Sequence, residues 1–214
     1  MHFQILSVLT ALFCVISFPA IIMAQKTDRV PNLENLKLMK KQAIVEVAIN
    51  QIHKHIAFSI DTSQFQNIKV LAGESMIIVA FRNPVKYVPY KSAHYYDLSV
   101  ILPELQFNYS PVVNPPNFKY SKNNITFFKP SSSDETNMRF VEKALEKVMP
   151  VPFESDQTGN GLIIREHKKY FEVLVLTGYS ETTYQIDRKT GVILSSEHYD
   201  LEPDPEEEVL IEIK

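Results

Sequence analysis

Apolar residues recur at helical spacing near the start of the chain. Leu38, Val45, Ala48, Ile49, Ile52 and Ile56 fall on one stripe, with Gln42, Glu46, Asn50 and His53 opposite, which predicts an amphipathic helix lying across a sheet. Pro31 and Asn32 mark its start. A second stripe runs through Met138, Val141, Ala144, Leu145 and Val148. Ser132 and Glu135 ahead of it have capping-box spacing, and Pro150 and Pro152 stop it. After each helix the apolar period drops to two. Residues 67–81 (NIKVLAGESMIIVAF) and 161–176 (GLIIREHKKYFEVLVL) each set two alternating runs around a short polar turn, the signature of antiparallel hairpins. Residues 187–191 (DRKTG) have the polar start and late glycine of a tight turn, so 182–186 and 192–196 are expected to pair. Residues 96–102 supply the matching third strand of the first half, after a longer insertion at 84–93.

This layout of helix, hairpin and strand occurs at 34–102 and again at 134–198. A unit of that size buries little core alone. The sequence therefore predicts an α+β fold of two tandem units, each a helix packed on an antiparallel β-meander, spanning 25–107 and 131–199. Residues 108–130 hold four prolines and many polar residues and read as a connection, with room for a short strand at 125–128. The end of the chain, 200–214, opens with the acidic run DLEPDPEEE and closes on VLIEI. It reads as a flexible terminus or edge strand, or as a partner-binding segment.

Composition narrows the setting. Residues 5–23 are almost uninterruptedly apolar, with Ala24 at a small-residue cleavage position, so 1–24 reads as an export signal peptide and the mature chain begins near Gln25. An uncleaved anchor fits less well, because Pro19 sits late in the run. Cys14 is the only cysteine and lies inside that run, behind Phe13 rather than the small residue of a lipoprotein site. The expected mature protein thus has no thiol, which removes thiol catalysis, thiolate metal sites and disulfides and leaves apolar burial to hold the fold. A secreted, extracellular or periplasmic location is expected, with no stable membrane insertion after cleavage. A net charge of −3 and a pI near 6.1, with basic and acidic residues mixed, give no face for nucleic acid.

Candidate catalytic chemistry is sparse. The five glycines form no phosphate cradle, and the chain has no GxGxxG, no P-loop, no GxSxG and no HExxH. His53 and His55, two apart on a helix, point about 200° from each other and do not share a metal. His167 falls in a turn and His198 near a strand end, ordinary places for solvated imidazoles; a His94 and Asp97 pair beside Tyr95 and Tyr96 is the one polar pocket the spacing offers. No cofactor, metal or catalytic residue is assigned. Binding chemistry has more to work with. Tyr87, Tyr90, Tyr95 and Tyr96 are candidate aromatic contacts, since a rigid ring with a polar tip contributes area at low entropy cost; strand packing is the plainer role for them. Lys69, Val70, Leu71, Ala72 and Gly73 form a candidate exposed hairpin edge, and a concave sheet face between the units is the other candidate surface. Asn108 and Asn124 head Asn-x-Ser/Thr triplets, glycan acceptors in a eukaryotic source, with Pro111 making the first the poorer.

A helix followed by a hairpin reading Lys69, Val70, Leu71, Ala72, Gly73 resembles the cystatin arrangement, whose hairpin carries Gln-x-Val-x-Gly. That resemblance implies a turn that wedges into the cleft of a papain-like protease. Lys69 stands where the family has Gln, no glycine precedes Gly73, and no tryptophan occurs, so two of the three inhibitory elements are missing. The second half, closing on YQIDRKTGVIL at 184–194, is similar to bacterial PepSY-type domains. It is also similar to small NTF2-like proteins, which leaves an immunity-type role as an alternative. None of these families implies a cofactor. The expectation is a secreted or periplasmic non-enzymatic binding module, protease-inhibitor-like or an envelope accessory protein, with a protein partner and a protease among the candidates. The alternative from a different class is an exported hydrolase with an unrecognised acid/base site, for which the spacing offers no convergent carboxylate pair outside the tail.

Overall fold

In the computed structural model, which describes residues 29–56, 61–149, 161–178, 180–201 and 210–213, the first apolar stripe is broken in two. Asn32 caps α1 (Leu33–Lys37), its side-chain oxygen accepting the Asn35 N–H at 3.0 Å. The chain then turns and restarts as α2 (Lys41–His55). Leu38, expected on the buried stripe, is 86% exposed, because it closes α1 and the turn after it resets the helical phase. The rest of the expected stripe holds: Ala48, Ile52 and Ile56 are buried and Val45 and Ile49 pack against the core, with Ile44 and Gln51 joining the buried face. The expected signal peptide at 1–24, and 202–209 of the acidic tail, lie outside the described residues.

Seven strands follow: β1 (Asn67–Ala72), β2 (Ile77–Arg82), β3 (Val85–Val88), β4 (Ser92–Tyr95), β5 (Leu98–Leu102), β6 (Gln106–Asn108) and β7 (Pro111–Asn114). Then come α3 (Ser132–Leu145) and β8 (Gly161–Glu166), β9 (Tyr170–Thr177), β10 (Ser180–Asp187), β11 (Ile193–Asp200) and β12 (Ile211–Glu212). The fold is α+β and mostly strand. The capping box of α3 sits one residue earlier than the sequence spacing of Ser132 and Glu135 implied. Ser131, with extended backbone, accepts the Asp134 N–H at 3.2 Å, and the Asp134 carboxylate accepts the Ser131 N–H at 2.8 Å. Ser132 is therefore the first helical residue.

Strand pairing gives two five-stranded sheets and a small ribbon. In sheet one, ordered β12-β1-β2-β5-β6, alternate residues Val70, Ile77, Val79, Phe81, Leu98, Val100 and Leu102 are buried against α1 and α2. In sheet two, ordered β11-β10-β9-β8-β3, Leu162, Ile164, Phe171, Val173, Val175 and Ile186 pack with Val141, Ala144 and Leu145 of α3. Each fully buried Val, Leu, Ile or Phe contributes roughly 1.5–3 kcal/mol over leaving it in water. Burial alternates with period two along β5, β8 and β9, whereas three consecutive residues are buried in β1 (Lys69, Val70, Leu71) and in β2 (Val79, Ala80, Phe81).

The two halves are interlocked rather than strung on a linker. β3, from the insertion of the first half, pairs in parallel with β8, matching Val85 to Leu162 and Val88 to Arg165. β12, from the end of the chain, pairs with β1 through Leu71–Glu212 and Ala72–Ile211. The stretch expected as a connection, 108–130, holds β7, which pairs with β4, and Asn114, which is fully buried. Asn114 donates from Nδ2 to the carbonyls of Val88 at 3.0 Å and Glu166 at 2.7 Å, tying β7 to β3 and β8. The short strand expected at 125–128 is reduced to a single bridge between Tyr95 and Phe127.

Candidate ligand-binding cleft

Both helices of the first half cover one face of sheet one, so the other face is where a site has room. On that face the pairings Ala80–Ser99 and Ser99–Asn108 set three residues in a row across β2, β5 and β6. Arg82 lies two residues beyond Ala80, on the same face at the end of β2. β3 leaves at this point to cross to sheet two, and the chain returns through Tyr96 and Asp97 into β5. The gap between the sheet face and the segments carrying Lys86, Tyr96, Asp97, Tyr109, Ser110 and Val112 is a cleft of about 390 Å³.

Its electrostatics are uneven. Asp97 is engaged on both oxygens: Oδ2 takes the Lys86 ammonium, and Oδ1 accepts the Asn83 N–H at 3.0 Å. The Asn83 amide in turn donates to the Tyr96 carbonyl at 3.0 Å, fixing the turn that presents Asp97. Arg82 is exposed, and its guanidinium makes no hydrogen bond or ion pair among the described residues. The cleft thus offers one uncommitted cation over a neutral pair, ringed by the hydroxyls of Ser99, Tyr109 and Ser110 and the amide of Asn108. A guanidinium presents donors in a planar fork that matches a carboxylate. Such an arrangement recognises an anion; its single carboxylate, already paired and hydrogen-bonded, is poorly placed to move a proton.

Behind the cleft lies a buried polar latch. Tyr87 is fully buried in the second core; its hydroxyl donates to Glu166 Oε2 at 3.1 Å and accepts from Asn137 Nδ2 at 2.8 Å. Glu166 Oε1 pairs with Arg188 at 2.7 Å. Tyr96, 1% exposed, donates its hydroxyl to the Tyr87 carbonyl. Burial pushes both phenols well above the ordinary tyrosine range, with Glu166 adding to the rise at Tyr87 and Asp134 at Tyr96. Tyr87 is thus a structural donor rather than the expected partner contact, because the crossing of β3 takes it inside, whereas Tyr96, also a buried donor, lines the cleft. Tyr90 and Tyr95 are half-buried; the Tyr95 ring meets Tyr109 edge-on at 5.3 Å, beside the cleft.

The other expected residues are distributed as follows. Lys69, Val70 and Leu71 are buried, and β1 is flanked by β12 as well as β2, so the hairpin edge expected to be open is covered there. Ala72 and Gly73 are half-buried, while Glu74 and Ser75 at the tip are exposed, and the Glu74 carbonyl accepts the Lys37 ammonium at 2.9 Å. Asn108 is exposed and lines the cleft; Asn124 is exposed away from it. The expected pocket around His94 and Asp97 comes apart: Asp97 and Tyr96 line the cleft, whereas His94 packs its ring on Phe128 at 5.3 Å. Arg82, Lys86, Ser99, Tyr109 and Ser110 were not singled out from the sequence. Arg82 had a local signal, a charge ending an apolar alternation, but its neighbours across the cleft depend on the crossing of β3. Among the described residues no group of three His, Cys, Asp or Glu could hold a metal, and no helix is long and apolar enough to cross a membrane. The chain matches no protein-family model, no curated protein and no solved structure.

Proposed function

We infer that this chain is an exported, non-enzymatic binding module that captures a partner protein through an exposed carboxylate seated in the cleft beside Arg82. The observation that carries the reading is the uncommitted guanidinium in a walled cleft whose other charges cancel. The apolar N-terminal run supports export. The module is built from two related units of cystatin-like or PepSY-like plan, each a helix followed by four antiparallel strands in sequential order: α2 with β1, β2, β5 and β6, and α3 with β8, β9, β10 and β11. Inhibition of a protease by the Ala72 and Gly73 turn fits less well, because that turn is pinned to Lys37 and buried on its β1 side.

The test is capture from the protein's own extracellular or envelope fraction, comparing wild type, Arg82→Glu, and Ala72→Asp/Gly73→Asp. Charge-assisted contacts are worth about 1.5–3 kcal/mol, so Arg82→Glu is expected to weaken capture at least about tenfold, while the turn variant retains it. A partner lost by the turn variant and kept by Arg82→Glu would move the site to the hairpin and sink the cleft reading.

A further inference from the structure

Four strands end the two sheets, and three of them are protected. β12 has two residues, β6 has three, and β3 has four, bracketed by Pro84 and Pro89 and carrying Lys86. Shortness, proline and lysine are the devices that keep an edge from pairing with another chain. β11 has eight residues with neither proline nor lysine. Its one irregularity, opposite Gln185 and Ile186, lies at the turn end, and Ser195 through Asp200 run in unbroken register with β10. Among the described residues nothing pairs with its outer side. From Leu194 onward every residue of β11 is exposed. Exposed large apolar side chains also concentrate here: Val192, Leu194, Tyr199 and Leu201 are each 45% exposed or more.

We propose that this edge docks against the same edge of a second copy, antiparallel, about a twofold axis at Tyr199. The occupant follows from the strand's own side chains. With Tyr199 facing Tyr199 of the second copy, His198 falls opposite Asp200 twice and Glu197 falls opposite Leu201, so each imidazole meets a carboxylate and no two carboxylates face each other. A twofold at Glu197 sets two carboxylates face to face, and one at His198 sets two imidazoles together. Within one chain His198 Nδ1 already engages Thr182 Oγ1 at 2.8 Å, and Nε2 lies 3.3 Å from Asp200 Oδ1, which holds the imidazole in line along the strand. The contact is isologous and closes at two copies, joining two sheets into one of ten strands. It lies at the opposite end of sheet two from β3 and Lys86, so both clefts stay open.

Sedimentation of the full chain from about 1 μM to about 1 mM tests this. Wild type is expected to form a dimer. His198→Asp puts carboxylate opposite carboxylate twice and is expected to weaken association about tenfold. The exchange His198→Asp/Asp200→His restores the pairing in reversed order and is expected to recover it. Both side chains are more than half exposed, so the variants should fold, and matching circular dichroism and unfolding midpoints verify this. A wild-type monomer throughout the range, a dimer indifferent to His198→Asp, or no recovery in the exchanged variant would each overturn the proposal.

Discussion

His94 lies in β4 with its ring 5.3 Å from Phe128 and 6.4 Å from Tyr96, and its Nδ1 is buried without a hydrogen-bond partner. Burial holds its pKa below the ordinary 6.5, against an opposing pull from the Thr126 backbone contact and the Asp134 carboxylate. The unfolded chain therefore takes up this proton at a higher pH than the folded one. The contribution of His94 is present in full above about pH 6.5 and is lost as pH falls through the lower folded value. Urea unfolding at about pH 7.5 and about pH 5 should show a drop in midpoint for wild type and a smaller drop for His94→Phe. An equal drop in both would acquit His94. At this scale the sequence displays chemistry but not address. Tyr87, Tyr90, Tyr95 and Tyr96 look alike as an aromatic cluster, yet two are internal donors and two sit half-exposed, because β3 turns into sheet two and carries Tyr87 with it. Arg82 and Asp97 are visible as charges near strand ends. That one is committed and the other is not depends on where Lys86 lands.

Gly191 shows how much a single turn carries at the level of elements. It joins β10 to β11 with φ +68°, and a Cβ there would meet Phe140 of α3 at 3.3 Å. Gly178, at φ +56°, has open space around its missing Cβ. Both alanine variants force a left-handed backbone, at a cost of about 1–2 kcal/mol. Gly191→Ala must in addition push the Phe140 ring, so its unfolding midpoint should fall further than that of Gly178→Ala; equal losses would mean that the ring yields freely. This turn was readable because its chemistry is local: the Asp187 carboxylate accepts the Lys189 N–H at 3.0 Å and the Thr190 N–H at 2.8 Å, as the DRKTG run implied. The hairpins and the α3 stripe were readable for the same reason. β3 was not, and of β12 only an edge strand near the end was expected, without its partner. Four and two residues are too few to fix a register, and their partners lie far along the chain, Val85 with Leu162 and Ala72 with Ile211. The break at Leu38 was hidden too, since a phase reset leaves the apolar count unchanged.

Each half of the molecule finishes the other's sheet, and that exchange decides how it unfolds. β3 belongs by sequence to the first half but closes sheet two on β8, while β12 follows the second half and covers β1. The seam is also polar and buried: Tyr87 spans to Glu166 and Asn137, and Asn114 holds Val88 and Glu166 together. Two apolar clusters exist, one under each sheet, so core packing alone permits two independent domains. The seam argues otherwise. Separating the halves strips a strand from each sheet and leaves buried donors and acceptors unpaired at about 1–3 kcal/mol apiece, a large fraction of a stability of about 5–15 kcal/mol. The full chain is therefore expected to unfold in one transition, with far-ultraviolet circular dichroism and tyrosine fluorescence coincident. A fragment ending at Phe107, which keeps β3 but loses β8 and β12, is expected to give a broad, non-cooperative melt. Two resolved transitions in the full chain, or a sharp native-like melt of the fragment, would show that each cluster stands alone and that the exchanged strands are attachments.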